Sequence, residues 1–250
     1  MIREKIFEWK NWKEMIHTTW NPKDPGVIRI HMIPPRFRLF RFIPSVVILN
    51  GNQILPLNES WAILLNIFIK ELNQWGEGEM TQEQGREILE NTAVKMRKIF
   101  PNVSPEKFEE DLELIAEVFE DIARGREPKV EIGQMSIGEY APYMTAPHRM
   151  DLMVSAMEKN ERWTCNQHCL HCYAAGQTYS NVQELGTADW KRVIEKCQKA
   201  RIPQLTFTGG EPTMREDLFE LLKEARWFIT RLNTNGIKLT REYCEKLREA

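Results

Sequence analysis

Hydrophobic residues follow two different patterns along this chain, and the change from one to the other falls near residue 150. Up to about residue 125 the pattern predicts short strands followed by three amphipathic helices. After residue 150, short apolar runs alternate with helical patterns, which is typical of a parallel sheet or barrel. The sequence therefore predicts a small α+β module followed by an α/β domain.

The N-terminal part begins with weakly marked elements. Residues 1–35 are predicted to form a helix over residues 1–20 and then a segment broken by prolines. Residues 36–42 alternate basic and apolar side chains over most of their length, a pattern that suits a half-buried strand. Asn50-Gly51, which lies between two apolar runs, predicts a β-hairpin.

Three helices are predicted to follow the hairpin, each with its own start signal. Asn58 or Ser60 can cap the first helix. Thr81 and Gln84 have the spacing of a capping box for the second. Ser104 can cap the third, because the proline that follows it suits the first helical position.

Residues 36–125 are thus predicted to form a module of the winged-helix kind. Its third helix carries eight acidic residues and one lysine between residues 106 and 121. Such a face repels DNA phosphates, so the DNA-binding role that is usual for winged helices is disfavoured. Residues 126–149 contain several glycines and prolines and are predicted to bridge the two domains.

Residues 150–250 are predicted to form an α/β domain, the first part of a TIM-like (β/α) barrel. The predicted strands and helices alternate over residues 150–156, 187–199, 204–208, 217–226, 228–233 and 240–250. Because three strand–helix units do not close a barrel, we expect the native protein to continue beyond Ala250.

Composition and charge exclude several classes of protein. The net charge of the 250 residues is −2, which gives no global basic field for nucleic acid. No apolar run is long enough for a transmembrane helix, and the start lacks a signal-peptide core, so we predict a cytoplasmic protein. The cysteine count of five is odd, which argues against a disulfide framework.

Three cysteines lie close together in the loop after the first strand of the C-terminal domain. Cys165, Cys169 and Cys172 have the spacing C-x3-C-x2-C. Three thiolates can hold an iron–sulfur cluster and leave one metal corner open for chemistry. A zinc site with His168 or His171 as the fourth ligand is the alternative.

Two further motifs follow the second and third strands of this domain. Gly209-Gly210-Glu211-Pro212 follows one strand, and Thr234-Asn235-Gly236 follows the next. The carboxyl ends of parallel strands lie at one edge, so these motifs are expected near the cysteines. Glu211 offers a carboxylate for a cationic amine and Asn235 offers an amide, although Asn235-Gly236 also suits a plain turn.

These three motifs, in this order, resemble the radical S-adenosylmethionine (SAM) superfamily over residues 150–250. The resemblance implies a [4Fe–4S] cluster on the three cysteines, with SAM bound to the fourth iron. Glu211 and the backbone of Gly209 and Gly210 would hold the amino group of SAM. His171 and Tyr173 would lie near the adenine, or simply pack beside the cluster.

The same resemblance implies that Asn235 faces the ribose or the carboxylate of SAM. One electron from the reduced cluster would cleave SAM to a 5′-deoxyadenosyl radical, which abstracts hydrogen from a substrate carbon. An electron donor such as flavodoxin or ferredoxin would be required. The resemblance assigns no catalytic residue beyond the cluster.

The cysteine motif, followed by Glu184 to Thr187 and later by Thr208 to Thr213, resembles the peptide- and protein-modifying (SPASM-type) branch. Many members of that branch carry auxiliary iron–sulfur clusters in a C-terminal extension, which would lie outside this chain segment. Residues 36–125 resemble a winged-helix (PqqD-like) domain that binds precursor peptides. There a leader peptide adds a strand to a sheet edge. The arginines at 36, 38 and 41 would attract an acidic leader, or are only solvated edge residues.

The leading hypothesis is a radical SAM enzyme that modifies a ribosomally made precursor peptide by crosslinking, epimerisation or excision. A second hypothesis keeps the radical chemistry but acts on a small molecule or a protein, in cofactor biosynthesis or enzyme maturation. A third is a non-catalytic metal-binding interaction protein.

Overall fold

The structure, a computed structural model, describes residues 15–20, 27–34, 36–38, 41–76, 80–144, 146–155, 164–172 and 184–250. The chain divides into two compact units, residues 1–144 and 145–250. Among the described residues, none of the helices has both the length and the apolar character that crossing a membrane requires.

The described strands of the N-terminal unit form two antiparallel sheets. In chain order they are β1 (Ile16–Trp20), β2 (Ile28–Ile33), β3 (Arg36–Arg38), β4 (Arg41–Ile43), β5 (Val46–Leu49) and β6 (Gln53–Pro56). Four of them form one sheet in the order β1-β2-β5-β6, and β3 pairs with β4 separately.

Two predictions in this region are wrong. Residues 16–20, assigned to the end of an N-terminal helix, form strand β1, which pairs with β2; residues 1–14 lie outside the described part. The β-branched side chains of Ile16, Thr18 and Thr19 suit a strand, and pairing with β2 decides the outcome. Residues 36–42 do not form one strand, because β3 and β4 pair with each other in the register Arg38 to Arg41.

The predicted Asn-Gly hairpin is confirmed between β5 and β6. Asn50 and Gly51 have φ angles of 47° and 73°, the left-handed conformation that this pair of residues tolerates best. The Asn50 N–H donates to the carbonyl oxygen of Arg29 at 2.9 Å, and the Arg29 N–H donates to Asn50 Oδ1 at 2.9 Å. The turn is therefore bonded to β2 as well as closing its own hairpin.

The three helices after the hairpin begin where their capping residues predict. They are α1 (Glu59–Leu72), α2 (Gln82–Ile99) and α3 (Pro105–Ala123). Asn58 caps α1, Thr81 and Gln84 complete a capping box on α2, and Ser104 caps α3. The predicted α+β composition of this unit is confirmed, while its winged-helix identity remains a prediction.

The four-stranded sheet is covered on both faces. On one face Val47, Leu49 and Leu55 pack in the core with helices α1 to α3. On the other, Val46, Ile48 and Ile54 pack with Tyr140 of a short helix, α4 (Ile137–Tyr140). The Met135 N–H donates to Ile54 O at 2.8 Å. Residues 135–144 therefore belong to the N-terminal unit, although the sequence predicted only a bridge over 126–149.

The C-terminal unit alternates strands with helices, as predicted. Its elements are β7 (Arg149–Ser155), α5 (Thr187–Lys199), β8 (Gln204–Gly209), α6 (Leu218–Glu224), β9 (Ile229–Leu232) and α7 (Arg241–Glu249). The three strands are parallel and lie in the order β7-β8-β9. This confirms an α/β fold for the unit; the partial barrel remains a prediction.

One face of the parallel sheet forms the core with the helices. Leu152, Val154, Leu205 and Phe207 are buried there, together with Ile194 and Cys197 of α5 and Leu218, Leu221 and Leu222 of α6. Because the strands are parallel and paired in register, their carboxyl ends lie at one edge. The three predicted motifs follow these ends.

Candidate functional site

The three cysteines lie in the described stretch Thr164–Cys172, which follows β7 in the chain. Cys165 is half-buried, whereas Cys169 and Cys172 are exposed, and all three are free thiols. The Cys172 N–H donates to Cys169 O at 3.1 Å, which makes a turn between these two residues. His171 is exposed, and Tyr173, the other predicted adenine neighbour, lies outside the described residues.

The donor set of this loop fits an iron–sulfur cluster. Three free thiols within eight residues are the ligands that such clusters take. Within the described ranges, no three histidine, cysteine or acidic side chains converge on a common metal position. That absence concerns a single metal ion, whereas a [4Fe–4S] cluster takes each thiolate on a different iron, so the three sulfur atoms need not share one position.

Gly209 and Gly210 allow the chain at the end of β8 to pack closely against Ser155, at the end of β7, and against Thr164, just before Cys165. Gly209 has a φ of 140°, and a Cβ atom added there would lie 2.6 Å from Ser155 Oγ. A Cβ on Gly210 would lie 2.5 Å from Thr164 O. The close approach is fixed by two hydrogen bonds, from Gly210 N–H to Ser155 O at 3.0 Å and from Glu211 N–H to Thr164 O at 2.9 Å. Both glycines thus serve contact with the chain's own backbone.

The carboxylate of Glu211 is buried and accepts four hydrogen bonds from residues that the structure describes. Glu211 is only 1% exposed to solvent. Oε1 accepts from Thr213 N at 3.0 Å, from Thr213 Oγ1, and from Thr234 Oγ1 at 2.7 Å. Oε2 accepts from the Asn235 N–H at 2.7 Å. Glu211 therefore joins the loop after β8 to the loop after β9.

These hydrogen bonds keep Glu211 ionised. Burial raises the pKa of the carboxyl group, but the donors from Asn235, Thr213 and Thr234 stabilise the charged form more strongly, and the pKa lies below its ordinary value. A carboxylate has about four acceptor positions. Oε2 carries one of the four bonds, so it is the oxygen better placed to accept a cationic amine.

Asn235 connects the loop after β9 to the cysteine loop. Its Nδ2 donates to Asn166 Oδ1 at 2.7 Å, and Asn166 directly follows Cys165. Its Oδ1 accepts from the Ile237 N–H at 3.1 Å, and Gly236 has a φ of 79°. The turn geometry expected as the alternative is present, and the side chain also contacts the cysteine loop.

Sequence reasoning missed the partners that complete this arrangement. Asn166, Thr213, Thr234 and Ser155 were not assigned roles, although Thr213 and Thr234 flank the motifs that carry Glu211 and Asn235. It also missed Tyr243 on α7, whose pKa is raised by burial and then by the negative charge of Glu211. Hydroxyl groups adjoining an acidic motif were the signal that could have identified the two threonines.

The arrangement joins three loops at the carboxyl edge of the sheet. The cysteine loop contacts the loop after β8 through Thr164 and the loop after β9 through Asn166. Glu211 bonds these two later loops to each other. A loop bearing three thiols is thus held beside an ionised carboxylate, which suits a metal cluster and a cationic ligand.

Comparison with known proteins identifies the domain that carries these loops. Residues 164–250 match the family described as the Radical SAM superfamily. This superfamily uses a [4Fe–4S] cluster and SAM, so the two predicted cofactors are confirmed at the level of the family.

Two curated relatives share this part of the chain. Fe-coproporphyrin III synthase of Methanosarcina barkeri is 41% identical over 87 residues, which cover 34% of this chain and 22% of that protein. PqqA peptide cyclase of Bradyrhizobium diazoefficiens is 36% identical over 88 residues, which cover 34% of this chain and 23% of that protein. The chain spans less than a quarter of the length of either relative.

Among solved structures, the chain is similar to Streptococcus suis SuiB bound to its precursor peptide SuiA. The TM-score is 0.42 and the identity 14%, with 83% of this chain and 43% of that chain covered. A TM-score of 0.42 is too low to establish a common fold.

Proposed function

We propose that this chain, whose residues 164–250 form a domain of the radical SAM superfamily, belongs to an enzyme that modifies a ribosomally made precursor peptide. The observation that carries the radical chemistry is the joining of three motif-bearing loops at one sheet edge through Glu211 and Asn235. A peptide substrate is supported by the relative named as a peptide cyclase and by the separate α+β unit that precedes the domain.

In this proposal Cys165, Cys169 and Cys172 hold the cluster. Bound there, a [4Fe–4S] cluster would supply one-electron reduction of SAM, the chemistry on which the proposed hydrogen abstraction depends. Glu211 contributes a fixed negative charge through Oε2 for the amino group of SAM, beside the backbone of Gly209 and Gly210. His171 and Tyr173 are assigned to the adenine side.

The contacts of Asn235 support a second role beside the expected one towards SAM. Because its Nδ2 already donates to Asn166 Oδ1, we assign Asn235 to positioning the start of the cysteine loop. The amide keeps a second Nδ2 hydrogen and a second lone pair on Oδ1, which a contact with the ribose or carboxylate of SAM can use. The bond itself ties the residue after Cys165 to the loop that also binds Glu211.

We assign precursor binding to the outer edge of β1. At the opposite edge, β6 already pairs with Met135. The Asn50 N–H donates to Arg29 O, so the backbone N–H and C=O groups of odd-numbered residues in β2 point towards β5. Those of even-numbered residues point towards β1. By the same alternation the backbone groups of His17 and Thr19 point outward. Asn73 Nδ2 donates to His17 O at 2.7 Å, in agreement with this direction.

Binding of leader peptides to the full chain tests the proposal. Fluorescently labelled leader segments of precursors encoded beside the gene are titrated with the wild-type protein, Thr19→Pro and the control Thr19→Val. Proline removes the outward N–H and should weaken binding about tenfold, whereas valine keeps it and should leave binding unchanged. Equal binding by Thr19→Pro would rule out the β1 edge. Failure of every such peptide to bind the wild type would reject the peptide substrate.

A small-molecule substrate is the second candidate, favoured by the relative named Fe-coproporphyrin III synthase. The two candidates differ in the substrate whose presence should accelerate SAM cleavage. A peptide enzyme should form 5′-deoxyadenosine faster when its precursor is added and should shift the mass of that peptide. A small-molecule enzyme should show neither effect with any precursor.

A further inference from the structure

We infer that Arg215 is a positioning residue that holds both ends of the segment carrying the cluster cysteines. This inference rests on the proposed function of that segment as the cluster-binding loop. Neither the motifs nor the family comparison assigns Arg215 a role, and it lies three residues after the Glu211-Pro212 pair.

The guanidinium of Arg215 contacts the chain on both sides of the cysteines. Nη1 donates to Val154 O at 2.8 Å, at the end of β7. Nη2 donates to Leu185 O at 3.0 Å, just before α5. Val154 and Leu185 are separated by 31 positions (185 − 154), and the three cysteines lie between them. The Arg215 side chain therefore contacts the chain both before and after the segment that carries the cysteines.

Asp217 holds the guanidinium in place. Its Oδ1 lies 2.5 Å from Arg215 Nε, and its Oδ2 accepts from Arg215 Nη2 at 3.0 Å and from Thr187 Oγ1. Burial raises the pKa of Asp217, but the bonds from Arg215 and Thr187 outweigh it and the pKa lies below its ordinary value. Thr187 is the first residue of α5, so the same network also fixes the helix that follows the segment.

Only an arginine can make all of these contacts at once. The guanidinium presents five donors in a rigid plane, whereas a lysine ammonium is a point charge with three donors on a flexible stem. The Arg215 side chain is 10% exposed, so its alternatives to these partners are few. Arg215→Lys therefore keeps the charge while removing the bridge between Val154 and Leu185.

The contacts of Arg215 affect the entropy cost of bringing the three thiols onto one cluster. The three thiols lie within eight residues of one loop, and cluster binding fixes all three side chains at once. Fixing the two ends of a segment lowers the conformational entropy lost when groups inside it are brought together. Groups that orient metal ligands from outside the ligand set typically change metal affinity 10- to 100-fold. Arg215 should act on cluster retention in this way.

Cluster loss measured on the full chain tests the inference. Wild type and Arg215→Lys are reconstituted with iron and sulfide under anaerobic conditions, and iron release to a chelator is followed optically. We expect Arg215→Lys to lose iron about tenfold faster. Melting of the iron-free proteins is recorded alongside, and Arg215→Lys should melt lower because it loses bonds to Val154 O and Leu185 O. Iron release is therefore measured well below both melting temperatures, so that unfolding does not contribute to it.

Arg226→Lys is the matched control. Arg226 lies in the same unit and its guanidinium also donates to two backbone carbonyls, Glu249 O and Ala250 O, but at the end of α7. This variant should lose iron at the wild-type rate. Equal loss rates for Arg215→Lys and wild type, or equal acceleration by Arg226→Lys, would overturn the inference.

Two further outcomes separate the inference from the proposed function. A wild-type protein that assembles no cluster contradicts the proposed function itself, whereas a normal wild-type cluster with unchanged Arg215→Lys kinetics contradicts only the role of Arg215. If Arg215→Lys does not fold, Thr187→Val decides, because it removes one donor to Asp217 and leaves the guanidinium. It should accelerate iron loss about threefold, an intermediate effect for one neutral hydrogen bond; an unchanged rate would overturn the inference.

Discussion

Replacing Glu211 with glutamine should destabilise the C-terminal unit even when no cofactor is bound. Glutamine has nearly the same shape, but one of its terminal groups is a donor instead of an acceptor. With its amide nitrogen in place of Oε2, it would face the Asn235 N–H, so a donor would meet a donor. In the other orientation, it would meet the N–H and hydroxyl of Thr213 and the hydroxyl of Thr234.

The magnitude follows from the less costly orientation. One charge-assisted bond of 2.7 Å is lost and the part-buried Asn235 N–H is left without an acceptor. The three remaining bonds become neutral and weaker. An unsatisfied buried donor costs about 1–3 kcal/mol, so we expect a total loss of about 3 kcal/mol. For a unit of this size that lowers the melting temperature by roughly 10–20 °C.

The assay is thermal unfolding of the iron-free protein at pH 7, with Glu216→Gln as control because Glu216 is exposed in the same loop region. Glu216→Gln should melt within about 2 °C of wild type. Because the folded pKa of Glu211 is lowered, its contribution is complete above the unfolded pKa of about 4.3 and is lost as pH falls through the folded pKa. The difference from Glu211→Gln should therefore shrink below about pH 4.

A Glu211 that only binds ligand would behave differently. Glu211→Gln would then melt like wild type without cofactors and differ only in its affinity for SAM. That result would refute the reasoning that Glu211 joins the loops after β8 and β9.

Three further perturbations test other parts of the structure. Gly210→Ala should cost about 1–3 kcal/mol in urea unfolding, since its Cβ would lie 2.5 Å from Thr164 O, whereas Gly133→Ala, at an exposed loop position where the nearest atom is 3.9 Å from the new Cβ, should cost less than about 0.5 kcal/mol. Asn166→Ala removes the acceptor of Asn235 Nδ2 and should speed iron loss from the reconstituted protein severalfold; a wild-type rate would contradict the link. Burial, His31 and Arg29 lower the pKa of His17 to about 3. Stability should therefore fall by up to about 1.4 kcal/mol per unit as pH drops from about 6.5 towards 3, and His17→Gln should flatten this slope in denaturant titrations between pH 6.5 and 5.

Elements with local signals were predictable from the sequence. The caps Thr81 and Ser104 are sufficient to mark the starts of α2 and α3, because the capping side chain and its backbone partner are three residues apart. Asn50-Gly51 specifies its turn in the same way. The three parallel strands were found because each apolar run is separated from the next by a helical pattern.

Elements that depend on distant partners were not predictable in this way. Ile16–Trp20 becomes a strand because β2 offers a pairing edge, which no local pattern reveals. Residues 135–144 cover the second sheet face because Val46, Ile48 and Ile54 require burial there. The loops of the site show the same limit, since the donors to Glu211 come from positions up to 24 residues away.

The site residues divide along the same line. The cysteine spacing and the order of the motifs were sufficient to select the superfamily that residues 164–250 match. The partners of Arg215, Val154 and Leu185, are brought together only by the fold, 61 and 30 residues away in sequence. The sequence therefore predicts the residues that would contact the cofactors, but it does not reveal the residues that position those residues.

Anaerobic reconstitution followed by SAM cleavage tests the central claim most directly. The wild-type chain, loaded with iron and sulfide and reduced with dithionite, should bind about four iron atoms per chain and convert SAM to 5′-deoxyadenosine. Cys172→Ala should lose both properties, while Cys244→Ala, which replaces an exposed cysteine away from the loop, should keep both. Zinc in place of iron, or an intact cluster and intact cleavage in Cys172→Ala, would contradict the account.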